Sequence, residues 1–254
     1  MRRVLLTSVL LGKACGLALW AAGAPPVLAA AVFFSPGLCL LYAMLAPSAQ
    51  GLGRVVTRFA PEGREVWLTI DDGPDPEDTP RALSLLARHQ AKATFFVIGE
   101  RAARHPELIR AIVAAGHEVA HHTHTHPAGS FWAAGRRRVA RELDAALAVL
   151  AASGVTPSRF RSPVGIKPIF LHPALAERRL AYIGWSLRSF DTVARDPAHW
   201  SRKVMREVRP GSILLLHEGP RLAPEVRSEG LGLLLAALTE AGFRCVVPHP
   251  DRLR

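Results

Sequence analysis

Two short stretches of this chain carry residue types that could do chemistry. The first is Thr69-Ile70-Asp71-Asp72-Gly73-Pro74, where paired aspartates close the apolar run Val66-Trp67-Leu68-Thr69-Ile70. The run reads as a buried strand, and Gly-Pro as the turn by which the chain leaves the sheet. Carboxylates at a strand mouth add little to packing, but they can hold a metal and move a proton. By itself Asp-Asp-Gly-Pro fits an ordinary surface turn equally well. The second stretch, His121-His122-Thr123-His124-Thr125-His126, tips that balance. A His-rich tract can be a solvated loop. However, His122 and His126 are four apart, so a helical turn would set both imidazoles on one face. Imidazole nitrogen together with carboxylate oxygen suits zinc or a similar transition metal. Residues 116–120 read as a short strand leading into the tract, so both stretches leave strand ends. Asp72, His122 and His126 are therefore the expected ligands of an open metal site, whose fourth position a catalytic zinc keeps for water. At helical spacing His124 points away from the other two, and it has no assigned role.

These stretches need a frame. After Glu65 apolar runs alternate with amphipathic segments. Residues 66–70, 94–98, 119–120, 182–185, 213–216 and 243–247 read as strands, and 80–90, 106–115, 136–152, 197–208 and 225–241 as helices. Such alternation implies a mostly parallel sheet with right-handed crossovers. In a barrel of this kind the chemistry sits at the C-terminal strand ends. At 254 residues the chain can bury one large core, and α/β barrels commonly take this much sequence.

Three further segments complete an ordered set of five. They are Arg161-Ser162-Pro163-Val164-Gly165, Ser189-Phe190-Asp191-Thr192 and Ile213-Leu214-Leu215-Leu216-His217-Glu218-Gly219. In this order the set resembles the polysaccharide deacetylases with a NodB-homology domain, carbohydrate esterase family four, over about residues 65–247. The resemblance implies an α/β fold, an irregular (β/α) barrel of about seven strands. It implies that Asp71 is the catalytic base and that Asp72, His122 and His126 are the metal ligands. Arg161 would orient the base, with Asp191 steadying that arginine, and His217 would be the general acid. The backbone at Val164 and Gly165 would support the oxyanion. The cofactor implied is a divalent cation, zinc first, with cobalt or another transition metal as alternatives.

The chemistry accounts for such a set. An acetyl amide is a poor electrophile and neutral water a poor nucleophile. A divalent metal polarises the carbonyl and lowers the pKa of water toward ~7. Positioned acids and bases contribute about 10²–10⁴-fold. Oxyanion donors stabilise the charge that builds on the tetrahedral carbon's oxygen. The expected activity is removal of acetyl from an N-acetylated sugar of a glycan or lipid-linked precursor. An O-deacetylase or deformylase using the same site, and a non-catalytic membrane sugar binder, are the alternatives; retention of every proposed base, acid and ligand argues against the binder. Departures from the family's pattern bear on the substrate more than on the reaction. Ser162 and Val164 stand where a second proline and an aromatic are usual. Arg188 and Thr192 replace an acidic residue and a tryptophan, and His121 replaces an asparagine.

The N-terminal segment is a separate physical object. From Ala14 to Gly53 there is no Asp, Glu, Lys, Arg or His. A helix crosses a bilayer with about 20 residues, so this stretch has length for two. Gly23-Ala24-Pro25-Pro26 divides the apolar region into expected spans at 4–22 and 27–46. Lys13 burdens the first by ~3 kcal/mol. A hairpin in the bacterial inner membrane is expected over a signal peptide cleaved near residues 28–31, because cleavage would leave 32–46 as an unburied apolar tail. The chain then divides into a 1–53 anchor and a 54–254 catalytic domain. Arg2 and Arg3 precede the hairpin, Arg54, Arg58 and Arg64 follow it, and its turn is uncharged. By the positive-inside rule both ends lie in the cytoplasm, which favours a lipid-linked or nucleotide-linked sugar precursor. A single span would put the domain outside and favour an exported polymer.

Of the net charge of +11, Arg2, Arg3 and Lys13 supply three, leaving +8 on the remainder, densest at Arg136-Arg137-Arg138. Anionic membrane lipids attract such a face by about 1 kcal/mol per basic residue. No nucleic-acid partner is expected, because the basic residues are dispersed and no helix-turn-helix or aromatic-rich motif accompanies them. Cys15, Cys39 and Cys245 form no disulfide framework.

Overall fold

The computed structural model describes residues 1–193, 196–219 and 222–254. Its central strand, β1 (Glu65–Asp71), is buried along its whole length, as befits a parallel strand covered on both faces. On one side of it lie, in order, β2 (Ala93–Val97), β3 (Glu118–His121), β4 (Arg159–Phe160) and β5 (Ala181–Tyr182). On the other lie β7 (Ile213–His217) and β6 (Leu187–Arg188). The short β8 (Arg244–Cys245) pairs with the beginning of β1. All these pairings are parallel. The expected parallel barrel is borne out as a curled half-barrel.

Alternation along β1 explains the layering. Val66, Leu68 and Ile70 join the large cluster formed with the surrounding helices α3 (Asp78–Arg88), α5 (Pro106–Ala114), α8 (Pro197–Glu207) and α9 (Pro224–Glu240). Trp67 instead packs inside the barrel with Phe96, Ala120, Ile183 and Ile213. Because side chains alternate with period 2, Thr69 and Asp71 face inward above it. Full burial of each large apolar side chain contributes about 1.5–3 kcal/mol. A second cluster, with Val139 and Leu143 of α6 (Arg136–Ala152) and Leu171 of α7 (Leu171–Glu177), covers β4 and β5.

The range 182–185, expected as one strand, divides. β5 ends at Tyr182, Ile183 makes a parallel bridge to Val56, and β6 begins only at Leu187. β5 and β6 are the two ends of the strand order. Residues 55–59 run along this seam, with a second bridge from Arg58 to Ser212. The chain leaving the N-terminal helices thus becomes part of the barrel wall.

Those helices are α1 (Arg2–Ala21) and α2 (Pro26–Leu45), each long and apolar enough to cross a membrane. They pack along each other as the expected hairpin. A Cβ on Gly16 would fall 2.7 Å from Phe33 Cβ and 2.8 Å from the Ala29 carbonyl, so only glycine permits this approach. Leu10, Leu17, Trp20, Phe34, Leu38 and Tyr42 remain exposed on the outer faces. The end of α2 is docked on the barrel. Fully buried Lys167 donates from Nζ to the Ala46 and Pro47 carbonyls, at 2.5 and 2.9 Å, and its backbone N–H donates to Met44. A cation at a helix C-terminus meets the negative end of the helix dipole. Burial pulls the Lys167 ammonium down to about 8.

Candidate active site

The site lies at the C-terminal ends of β1, β3 and β7. Asp71 is the last residue of β1, and its register partner on β7 is His217. Asp72 follows with φ of 71°, a left-handed turn. Two contacts hold that turn: Arg101 Nη1 donates to the Asp72 carbonyl at 2.8 Å, and the Ile98 N–H donates to the Gly73 carbonyl at 2.8 Å. A side chain on Gly73 would meet Glu218 Oε2 at 2.3 Å and would have to displace that carboxyl.

The histidine tract is a loop, not the helical turn expected from its spacing. Thr123 and His126 both have positive φ, 64° and 53°. Three anchors shape it. The N–H groups opening α4 (Gly99–Arg104) donate from Gly99 and Glu100 to the Thr123 and His124 carbonyls. The Glu142 carboxylate accepts from the N–H groups of His124 and Thr125 and from the Thr125 hydroxyl. His121 Nδ1 accepts the Thr123 N–H, and its Nε2 donates to the Leu143 carbonyl at 3.0 Å. Burial pulls His121 down to about 4, so it is a neutral bracket for the loop. His121 and Glu142 were not expected as site residues. For Glu142 a signal existed: an acid on the apolar stripe Val139, Leu143, Ala146 and Leu150 of α6.

The loop brings His122, His126 and Asp72 together. Asp72 Oδ1 is 3.3 Å from His122 Nε2 and 3.1 Å from His126 Nε2, and the ligand atoms of all three lie within 4.8 Å of one another. His122 Nδ1 lies 2.9 Å from the Arg161 carbonyl, which can only accept. Nδ1 therefore carries a proton, and Nε2 is the ring atom turned toward Asp72. His126 is pulled down to about 4, chiefly by burial and then by His122, so it presents a lone pair at neutral pH. Burial raises the Asp72 carboxyl, but the facing His122 and His126 and the nearby His217 outweigh it and hold the group well below the usual carboxylate range. Two imidazole nitrogens and a carboxylate oxygen thus converge, and buried Asp72 Oδ1 makes no well-formed hydrogen bond. Two imidazoles with one carboxylate in this arrangement fit zinc-like ions.

Arg161 and Asp191 occupy separate networks. Fully buried Arg161 donates from Nη1 to Asp71 Oδ1 at 2.7 Å and to Thr69 Oγ1 at 2.8 Å, and from Nη2 to the Gly184 carbonyl at 2.8 Å. Its guanidinium stacks 4.2 Å from the Phe96 ring centroid. Asp191 was expected to steady this arginine; it pairs with His217 instead. Asp191 Oδ1 accepts from His217 Nδ1 at 2.9 Å and Oδ2 from the His217 N–H at 2.7 Å. Burial pulls His217 down, yet the charge and hydrogen bond of Asp191, with the charges of Asp71 and Asp72, prevail and raise it above 6.5. Val164, at φ of 49°, and Gly165, at φ of 76°, form a left-handed turn beside the site. Asp71, Asp72, His122, His126, Val164 and His217 all line one small cavity. Glu218, missed in the sequence, lies under the Asp-Asp-Gly-Pro turn and accepts from the Thr79 hydroxyl at 2.7 Å; burial pushes it up to about 8.

Comparison with known proteins agrees with this geometry. Residues 60–176 match the polysaccharide deacetylase family model. A chitooligosaccharide deacetylase of Sinorhizobium fredii is 44% identical over 176 residues, covering 65% of this chain and 77% of the relative. A family 4 carbohydrate esterase from Streptomyces lividans, solved with acetate, superposes with a TM-score of 0.68 at 27% identity, covering 75% and 96% of the two chains. A family pseudoenzyme from Bacillus anthracis gives the same TM-score at 25% identity over 76% and 66%, so the fold alone does not carry activity. Sequence, fold and site together place this chain in the polysaccharide deacetylase family, carbohydrate esterase family four, as a hydrolase of that type.

Proposed function

We propose that this protein hydrolyses the acetamide of N-acetylated glucosamine residues in a saccharide, with Asp72, His122 and His126 holding a divalent cation. The observation that carries this reading is the convergence of an arginine-tied carboxylate, a carboxylate-tied histidine and three grouped ligand atoms on one cavity. When bound, the cation supplies Lewis acidity toward the acetyl oxygen and makes water more acidic. Asp71 has Oδ1 committed to Arg161, while Oδ2 lies 3.8 Å from His122 Nε2, on the ligand side. Oδ2 is therefore the atom that takes the proton of attacking water. His217, its Nδ1 committed to Asp191, donates from Nε2 to the departing amine as the C–N bond breaks. Acetate and a free amine leave, so atoms and protons balance. The left-handed turn at Val164 and Gly165 supports the oxyanion through its backbone.

We assign residues 1–53 to a membrane anchor and 54–254 to the catalytic domain, on the inner membrane with the domain in the cytoplasm. The basic flanks of the hairpin and its uncharged turn support that orientation, and with it a membrane-held saccharide precursor as substrate. Acetate release from N-acetylglucosamine oligomers by the full chain tests the reaction; release by the Asp71→Asn protein at the wild-type rate would refute it. For topology, alkaline phosphatase fused after Arg254 should be inactive and a fluorescent protein there bright; the reverse result places the domain outside.

A further inference from the structure

The two apolar helices end where the catalytic mouth begins. Their barrel-side ends both rest on the loop that follows β4, residues 161–170. Ile169 of that loop and Leu5 of α1 pack against Ala43, Met44 and Leu52 at the end of α2, and the Ile169 carbonyl lies 3.4 Å from Arg2 Nη1. Lys167 of the same loop holds the Ala46 and Pro47 carbonyls. Val164, also on this loop, lines the catalytic cavity with His122 and His217. Beside it, a Cβ on Gly165 would fall 2.6 Å from Pro47. Each helix has 20 residues, the length that matches the hydrocarbon core of a bilayer. Where they span, their ends mark the bilayer surface, and the rim of the cavity lies at that level.

The make-up of the rim fits that position. Outside the hairpin, the large apolar side chains exposed among the described residues are Val113 and Leu233, on the outer helices α5 and α9, and Trp132, Val164, Phe190 and Val193. The last four lie on loops leaving the C-terminal ends of β3, β4 and β6. The Phe190 ring already carries the Arg188 and Lys203 cations. Trp132, Val164 and Val193 remain 49%, 50% and 66% exposed. Trp132 leads into Arg136 and Arg137, both exposed. The Arg136 guanidinium stands 5.1 Å from the ring centroid of Phe170, next to the anchor-bound Ile169. Residues 122–135, 161–170 and 189–196 include only two acids, Asp191, which is buried against His217, and Asp196, whose carboxylate caps α8. Exposed tryptophan and aliphatic side chains beside arginines, with the acids engaged elsewhere, suit the interface of an anionic bilayer.

We propose that the catalytic mouth rests on the membrane, with Trp132, Val164 and Val193 dipping into the headgroup region, so that the enzyme takes a saccharide whose lipid is held in the same leaflet. This geometry applies on either side of the membrane. It rests on the anchor and deacetylase readings, and the test separates them. The full chain, with exposed Cys15 and Cys39 changed to alanine and buried Cys245 left in place, is set in phosphatidylglycerol vesicles. It carries one fluorophore, through Trp132→Cys, Val193→Cys or, as reference, Val113→Cys. Val113 is near the end of α5 that leads into β3, at the far end of the barrel. Lipids bearing a nitroxide near the headgroup should quench the first two labels several-fold more than the third. Equal quenching at all three sites, or none at the first two, overturns the docking. A label on native Cys39, quenched by a mid-chain nitroxide, would show in that case that the anchor still stands. Acetate release is read separately. Trp132→Ser with Val193→Ser should raise KM for a lipid-linked N-acetylglucosamine saccharide in the same vesicles about tenfold, the scale of one buried apolar side chain. The soluble N-acetylglucosamine disaccharide should be turned over as by wild type. Equal losses on both substrates would overturn the docking. Depth-selective quenching without acetate release from either substrate would sustain it and count against the catalytic reading alone.

Discussion

The two ends of the barrel both bury polar groups, and they do so in opposite ways. At the N-terminal end donors meet acceptors in a chain. Trp67 Nε1 donates to Thr94 Oγ1 at 2.8 Å, and Thr94 Oγ1 donates to Glu118 Oε2 at 2.6 Å. Arg159 donates to the same carboxylate oxygen and to the Pro248 carbonyl, while its guanidinium lies 4.5 Å from the Trp67 ring centroid. At the C-terminal end two imidazole nitrogens and a carboxylate oxygen crowd together, and Asp72 Oδ1 makes no well-formed hydrogen bond. Buried charge is common to both ends, so it does not identify function. A convergent set of metal-ligating atoms opening on one cavity does.

Substitutions at the two ends should therefore separate activity from stability. The largest effect is expected at the upper end. His217→Ala and Asp71→Asn should each lower kcat of the folded protein for acetate release by about 10²–10⁴-fold, and Asp71→Asn should also lose stability because buried Arg161 loses its carboxylate. An unchanged kcat in the folded fraction of either variant would make these residues structural and erase the contrast. Next in size is the lower end. Arg159→Met leaves the Glu118 carboxylate without its cation and should cost about 3 kcal/mol by denaturant unfolding, at the low end because Glu118 is partly exposed. The kcat of the folded fraction should stay within about twofold of wild type, since no reacting group is touched. A catalytic loss with unchanged stability would contradict this.

A smaller effect concerns pH. His217 must be protonated to act as the acid, and its pKa lies above 6.5. Activity should therefore persist to higher pH than an ordinary imidazole would allow and fall as pH rises through that raised value. A bound cation opposes the contribution of Asp72, so the shift depends on the Asp191 pair. Asp191→Asn should move the alkaline limb of kcat/KM down toward 6.5 and lower kcat by about 10–10²-fold, less than removal of the imidazole itself. An unmoved limb would show that another group sets it.

Much of this was legible in the sequence, and the reasons differ by region. The strands carrying Asp71 and His217 are continuous apolar runs, and their register partnership follows from parallel pairing. The strands β4 and β6 were not legible, because two residues carry no period. Spacing named His122 and His126 correctly as neighbours for the wrong reason: the loop is set by His121 within the tract and by Glu142 and α4, which are remote in sequence. The resemblance led to an Asp191–Arg161 contact, whereas the fold spends Arg161 on Asp71 and two backbone carbonyls. Nor did composition reveal that Lys167 docks the end of α2 beside the Val164–Gly165 turn, since one lysine in a loop reads as solvated.

The central claim is that Asp72, His122 and His126 form a cation site, and metal content tests it most directly. Purified full-length protein should contain about one divalent ion per chain by mass spectrometry. Chelation should remove the ion and the acetate-releasing activity together, and zinc or cobalt should restore both. His122→Ala should bind the metal at least about tenfold more weakly, since loss of a ligand exceeds loss of its supporting contacts. Full activity in a demonstrably metal-free preparation, or unchanged metal affinity in His122→Ala, would contradict the account.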